Sequence, residues 1–190
     1  ITGTANTADY STAFSSKGTS TVAAGNGYGS ATNQLRNPYG IDIDSSGNIY
    51  VADSDNQRIV KWAPGAISGT VVASGIYAWD IHVDSSGNIY SSDYSNRRVM
   101  KYTLESDGTY TATVVAGGNG NGSNNNQFSS PRGIHVDSSG NIYVADQSNH
   151  RVMKWSNTYS DGGTLVAGVS GTSGSGTNQL YNPRGLDVDS

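Results

Sequence analysis

Apolar and polar residues alternate strictly in Ile41-Asp42-Ile43, and the same I-x-I/V pattern returns around His82 and His135, and as Leu-x-Val around Asp187. A period of two residues is the signature of a strand. After the first three copies comes Asp-Ser-Ser-Gly, a turn in which Gly47, Gly87 or Gly140 is free to take a positive φ. A second run rich in β-favouring types follows, as in residues 48–53 and 141–146. A turn centred on Asn56, Asn96 or Asn149 leads to a third run, Arg-Ile/Val-Val/Met-Lys-Trp/Tyr. The fourth run covers residues 70–73, 113–116 and 164–167.

These runs belong to one repeated phrase. Residues 44–62 read DSSGNIYVADSDNQRIVKW, residues 84–102 and 137–155 repeat it with changes, and Asp189-Ser190 begins it again. The equivalent aspartates stand 40, 53 and 52 residues apart. Four short antiparallel strands per unit, repeated at that period, predict an all-β fold of four-stranded propeller blades. Such blades pack on neighbours through both faces, so their strands need not be half polar. The pattern divides the chain into a degenerate partial blade at 1–36, blades at 37–75, 76–118 and 131–168, and a further first strand at 182–190.

Residues 131–152, Pro-Arg-Gly-Ile-His-Val-Asp-Ser-Ser-Gly-Asn-Ile-Tyr-Val-Ala-Asp-Gln-Ser-Asn-His-Arg-Val, resemble an NHL repeat. That family's pattern is Pro-x-Gly-apolar-x-Val-Asp, then Gly-Asn-apolar-Tyr-Val-x-Asp, then Asn-x-Arg-apolar. Residues 37–61 and 182–190 fit it well. Residues 76–101 fit with losses: Tyr77-Ala78-Trp79 stands in place of Pro-x-Gly, and Ser91-Ser92 in place of Val-Ala. The resemblance implies an NHL-type propeller, a family whose members usually carry six blades. It says little of function, because one fold hosts many activities.

The chain holds about four blades' worth of strands. Residues 21–25 read as a fourth strand, 10–14 as a degenerate third and 1–4 as a degenerate second, so Leu186-Asp187-Val188 is expected to pair antiparallel with residues 1–4. Three arrangements satisfy this pattern: part of a larger propeller, a closed four-blade ring, or blades completed between chains, where open ends allow self-association. The first residue is Ile, as expected of a processed leader or a truncated chain.

Composition narrows the function classes. The chain has 25 Gly, 12 Tyr against 2 Phe, no Cys, and a single Glu, Glu105. Disulfide and thiol chemistry are excluded, and the catalytic inventory is thin. The net charge is −4, and the eleven Lys and Arg are spread without clustering, which disfavours a grip on nucleic acid. No apolar run reaches membrane-spanning length. A surface rich in Ser, Thr and Asn and poor in Lys and Glu points to a secreted or cell-surface protein.

Three sets of residues carry candidate chemistry. The Asp that ends the second strand and the Arg five residues later, Asp53/Arg58, Asp93/Arg98 and Asp146/Arg151, flank a tight turn and can meet across it. Their recurrence in every blade marks a structural latch, and Arg151→Ala is expected to cost roughly 1–3 kcal/mol. The Asp of Asp-Ser-Ser-Gly-Asn is read as a turn residue that accepts backbone N–H bonds, since one carboxylate is too few for calcium. First strands lie innermost in a propeller, so Asp42, His82, His135 and Asp187 surround the channel. Two readings stay open: no cofactor, each side chain bonding water or a neighbouring blade's backbone at the channel rim, or two imidazoles and two carboxylates serving as a ligand set for zinc or another divalent metal in the channel. His150 falls in a turn and is expected to be solvated.

The long connections at 117–130 and 168–182 supply Gly, Asn and Ser for hydrogen bonding. Tyr28, Tyr39, Tyr77, Trp79 and Tyr181 supply stacking faces nearby, with Tyr39, Tyr77, Trp79 and Tyr181 as the binding candidates. The leading expectation is a non-catalytic extracellular binding or structural module for a protein or glycan ligand. The resemblance also implies an alternative, a metal-dependent lyase or lactone hydrolase that uses the His/Asp ring.

Overall fold

Short β-favouring runs broken by Gly and Asn turns fold as successive hairpins, and here they assemble into separate antiparallel sheets. The computed structural model describes residues 13–16, 19–22, 27–157 and 162–189. A hairpin of β1 (Ala13–Ser16) and β2 (Thr19–Val22) comes first. Blade one is β3 (Pro38–Ile43), β4 (Ile49–Asp53), β5 (Arg58–Trp62) and β6 (Thr70–Ser74). Blade two is β7 (Ala78–Val83), β8 (Ile89–Asp93), β9 (Arg98–Leu104) and β10 (Tyr110–Gly117). Blade three is β11 (Pro131–Val136), β12 (Ile142–Asp146), β13 (Arg151–Trp155) and β14 (Thr164–Gly168). In each blade the strands bond in chain order. The described residues include no helix long and apolar enough to cross a membrane.

Most of the core lies between blades, and a third cluster, Val51, Val60 and Trp62, is covered by Leu35 and Ala66 from blade one's own connections. Tyr50, Ala52 and Ile59 of blade one are buried against Ile81, Val83 and Ile89 of blade two. Tyr90 and Val99 of blade two are buried against Ile134, Val144 and Trp155 of blade three. Ile49–Asp53 therefore reads as an almost continuous buried strand: Tyr50 and Ala52 face blade two, while Ile49 and Val51 face Leu35 and Ala66. The turn before each third strand takes its left-handed residue at Gln57, Arg97 and His150, with φ of 52°, 54° and 54°. That position is one residue beyond the asparagine on which the sequence centres the turn.

Each Asp-Ser-Ser-Gly-Asn turn is closed by its own carboxylate. Asp44 accepts N–H bonds from Ser46 and Asn48 at 2.9 Å, and side-chain bonds from Asn48 at 2.7 Å and Tyr50 at 3.1 Å. Asp84 and Asp137 repeat the arrangement. Burial opposes ionisation of Asp44, but the bonds from Asn48, Tyr50 and Ser46 outweigh it and hold the carboxyl below its ordinary value. With both oxygens taken by N–H and O–H donors, the turn needs no cation.

At the far end, residues 183–189 run beside β11 without forming a ladder with any described strand. Gly133 N–H donates to the Arg184 carbonyl at 2.7 Å. The expected partner of residues 186–188, at 1–4, lies outside the described residues. The β1–β2 hairpin falls close to the third and fourth strands read at 10–14 and 21–25.

Candidate functional site

The first strands β3, β7 and β11 stand side by side, and carboxylates stitch them together. Asp42 Oδ2 accepts the Val83 N–H at 2.7 Å, and Asp80 Oδ2 accepts the Ile134 N–H at 3.0 Å. Each bond crosses from one blade to the next. The strands approach so closely that a Cβ on Gly40 would sit 2.6 Å from Asp80 Cα. In β7 the register pairs Ala78 with Asp93 as Pro38 pairs with Asp53. The Pro-x-Gly equivalent is therefore Ala78-Trp79-Asp80, one residue later than the sequence places it.

Sequence reasoning missed Asp80. It takes the position of a glycine, and burial pushes its carboxyl up against the pull of the Ile134 and Ile81 N–H groups. The Ser92 hydroxyl accepts the Asp80 N–H at 3.0 Å, and the Ser91 hydroxyl donates to its carbonyl at 3.1 Å. The departures at Ala78-Trp79-Asp80 and Ser91-Ser92 are thus one co-adapted set. Their shared blade was the signal.

The row predicted around the channel is continuous. His82 Nδ1 lies 3.7 Å from Asp42 Oδ2, the His82 and His135 ring centroids are 5.1 Å apart, and His135 Nδ1 lies 2.9 Å from Asp187 Oδ1. Both Asp42 oxygens already accept backbone N–H bonds, from Ile43 at 2.8 Å and from Val83. Asp187 Oδ1 also accepts the Val188 N–H at 3.0 Å. Among the described residues no three His, Asp or Glu side chains converge as a metal set, so the row as arranged does not fit one shared ion.

Burial lowers the His82 pKa below its ordinary value of 6.5, against the attraction of Asp42 and with help from His135; Asp84 and Asp187 pull it back weakly. The unfolded chain therefore takes up a proton at His82 near pH 6.5, before the folded chain does. Stability contributed by the neutral imidazole is complete above that pH and is lost as pH falls through the lowered value. Urea melts at pH 7 and pH 5 should show His82→Gln flattening this dependence; an unchanged slope would place the titration elsewhere.

Above the row lies a stack drawn from three blades. Tyr39 and Trp79 are 4.1 Å apart and nearly parallel, and the Arg132 guanidinium stands 3.6 Å from the Trp79 ring centre. Trp79 is thereby engaged from the preceding and the following blade. Tyr77 is half-buried, and its hydroxyl donates to Asp55 at 3.1 Å. By contrast Tyr39, Tyr28 and Tyr181 are 47%, 63% and 73% exposed. His150 departs from expectation: it is half-buried, accepts the Asn182 N–H on Nδ1 at 3.2 Å, and stacks on Tyr181 at 5.9 Å.

The three Asp/Arg pairs are direct cross-strand partners, with Nε–Oδ2 distances of 2.6, 2.9 and 3.1 Å in blades one to three. Asn56, Asn96 and Asn149 donate to the same carboxylate oxygen at 2.8, 2.8 and 2.6 Å. In blades one and three the guanidinium extends further and holds the connecting loop. Asp53 accepts the Arg36 N–H at 2.6 Å, and Asp146 accepts those of Ser129 and Ser130 at 2.9 and 3.0 Å.

Comparison with known proteins agrees with this architecture. The NHL repeat family matches residues 35–62 and 128–155, which span the first three strands of blades one and three. A search of curated proteins gives no match. Solved structures similar to this chain include an auxiliary nutrient binding protein from Bacteroides thetaiotaomicron, with 18% identity and a TM-score of 0.63 over 81% of this chain and 43% of that one. A protein of unknown function from the same organism has 18% identity and a TM-score of 0.61 over 78% of this chain and 41% of that one. A streptogramin B lyase has 19% identity and a TM-score of 0.53 over 78% and 43%. This chain thus spans less than half the length of each, and at these identities the likeness is one of fold.

Proposed function

Taking as premise that this chain is a set of NHL-repeat β-propeller blades, we propose that it is a non-catalytic extracellular binding module whose loop-bearing rim takes a glycan. One observation carries the reading: Tyr28, Tyr39 and Tyr181 are the most exposed aromatic rings among the described residues, Tyr28 and Tyr181 on connections into first strands and Tyr39 at the start of β3. Tyrosine offers a flat apolar face with a polar tip, suited to a sugar ring, and the Gly/Asn/Ser loops beside it supply donors and acceptors. Arg36 and Arg184, both exposed, add charge at the same rim.

A glycan array probed with the parent and with the Tyr39→Ala/Tyr181→Ala double variant tests this. Binding should fall about tenfold or more in the variant, a loss of ~1.4 kcal/mol or more. An array without signal, or signal indifferent to both tyrosines, would count against a glycan and leave a protein ligand for the same rim.

The competing reading is a metal-dependent lyase or lactone hydrolase that draws on Asp42, His82, His135 and Asp187. It requires these side chains to close on one ion, which their present hydrogen bonds resist. Zinc that raises the melting temperature of the parent, but not of a His82→Ala/His135→Ala variant, would favour it.

A further inference from the structure

Blades one and three each hold the loop before them by the same two side chains. In the loops at 29–35 and 122–128 the first N–H donates to the last carbonyl, at 3.2 and 3.3 Å. Arg58 donates to the carbonyls of Ser30, Ala31 and Gln34 at 2.7, 2.8 and 3.0 Å, and Asn56 to that of Gly29 at 2.8 Å. Arg151 donates to Ser123, Asn124 and Gln127 at 2.6, 3.2 and 2.8 Å, and Asn149 to Gly122 at 2.8 Å. Arg151 also donates to the Ser170 hydroxyl at 3.2 Å. The acceptors are thus neutral amide oxygens and one hydroxyl, and the guanidinium bonds are charge-assisted.

Blade two carries the same side chains and no loop. The connection into β7 is residues 75–77 alone, against 118–130 before blade three. Asn96 and Arg98 are set on Asp93 at 2.8 and 2.9 Å, as their equivalents are set on Asp53 and Asp146. Among the described residues, the two terminal nitrogens of Arg98 and the second amide hydrogen of Asn96 then meet no acceptor. Exposure follows: the Arg98 side chain is 32% exposed, against 10% for Arg58 and 1% for Arg151. Asn96 is exposed where Asn56 is half-buried and Asn149 buried.

Blade two is packed between blades one and three, so its own short connection makes this opening. The apolar side of the missing loop is already replaced. Leu35 packs on Trp62 and Phe128 on Trp155, and Ile76 shares a buried cluster with Tyr102, the equivalent of those tryptophans in the ladder. What blade two lacks is the row of carbonyls.

Resting on the glycan reading of this rim, we propose that Asn96 and Arg98 clamp an N-acetylhexosamine unit. The acetamido carbonyl takes the place of the loop carbonyls on the guanidinium, and a ring hydroxyl meets Asn96. A neutral amide suits these donors better than a carboxylate, because Asp93 already balances the Arg98 charge and the equivalent donors hold amide oxygens. Rings for stacking stand on the same turn. Tyr94, two residues before Asn96, lies 6.4 Å from Tyr77 and 6.0 Å from Trp79, and Trp79 carries the exposed Tyr39 at 4.1 Å.

Titration of isotope-labelled protein with N-acetylchitotriose and with cellotriose tests this by NMR, up to about 10 mM sugar, a range that reveals millimolar Kd. The two sugars share a linkage and differ in the acetamido group. N-acetylchitotriose should shift the Arg98 Nε–H and Asn96 side-chain signals, and cellotriose should bind about tenfold more weakly or less. Arg98→Lys keeps the charge beside Asp93 but loses the two-pronged terminal donors, and should erase the preference. The parent's own signals decide even where that variant fails to fold. Equal binding of both sugars, with the Arg98 and Asn96 signals unmoved, would overturn the clamp and keep the glycan reading. Silence from both sugars would overturn it as well, while the glycan array decides separately on the rim. Arg98 and Asn96 signals that answer a synthetic peptide of residues 122–128 but neither sugar would overturn the sugar and assign the clamp to a peptide.

Discussion

Arg151→Ala should destabilise the protein by about 3–5 kcal/mol, the range for breaking a buried ion pair from one side. Arg151 is 1% exposed and Asp146 fully buried. The substitution strands that carboxylate and also removes the donors of the Ser123, Asn124 and Gln127 carbonyls, as well as a bond to Ser170 Oγ at 3.2 Å. This exceeds the roughly 1–3 kcal/mol that the hairpin alone predicts, because the sequence does not show the loop folded onto the guanidinium. Arg98→Ala is the internal comparison: the same pair with no loop to hold, and an expected cost of about 1–2 kcal/mol. Urea melts of both variants decide the matter, and equal losses would show that the loop contacts contribute nothing.

Gly40→Ala should cost about 3 kcal/mol, at the upper end for overpacking, because the atoms it meets belong largely to backbone. The added Cβ would lie 2.6 Å from Asp80 Cα, 2.8 Å from Asp80 Oδ1 and 2.9 Å from Ile81 N. Relief requires β3 to move off β7, which weakens the Asp42–Val83 bond and the Tyr39–Trp79 stack together. Urea melts of Gly40→Ala within ~0.5 kcal/mol of the parent would mean that close blade contact is not what selects glycine here.

Several site features were only half legible. The Asp/Arg pairs could be placed because their spacing across a tight turn fixes them as cross-strand neighbours. The loop they hold could not, since Arg58 and Gln34 are 24 residues apart and joined only through backbone carbonyls, which leave no residue signature. The channel row was readable from repeat equivalence. That Asp42 spends its oxygens on Val83 and Ile43 was not, because those donors are main-chain groups on a strand 41 residues away and on its own neighbour. Trp79 was visible as a departure, but its engagement by Tyr39 and Arg132 depends on how closely three blades approach.

The sequence by itself determined the strands, the turns that join them, and the blade as the repeating unit. Those follow from period-two alternation and from Gly and Asn at fixed offsets, which act over a few residues. Tertiary structure decided everything that lies between blades. It left Tyr28, Tyr39 and Tyr181 exposed while burying other rings, turned Asp80 from a lost glycine into a bond to the next blade, and left Arg98 the most exposed of the three paired arginines. The reason is one of range: neighbouring blades meet through faces whose residues lie some 40 to 54 positions apart. Nothing local records which carbonyl, ring or Cα will stand opposite.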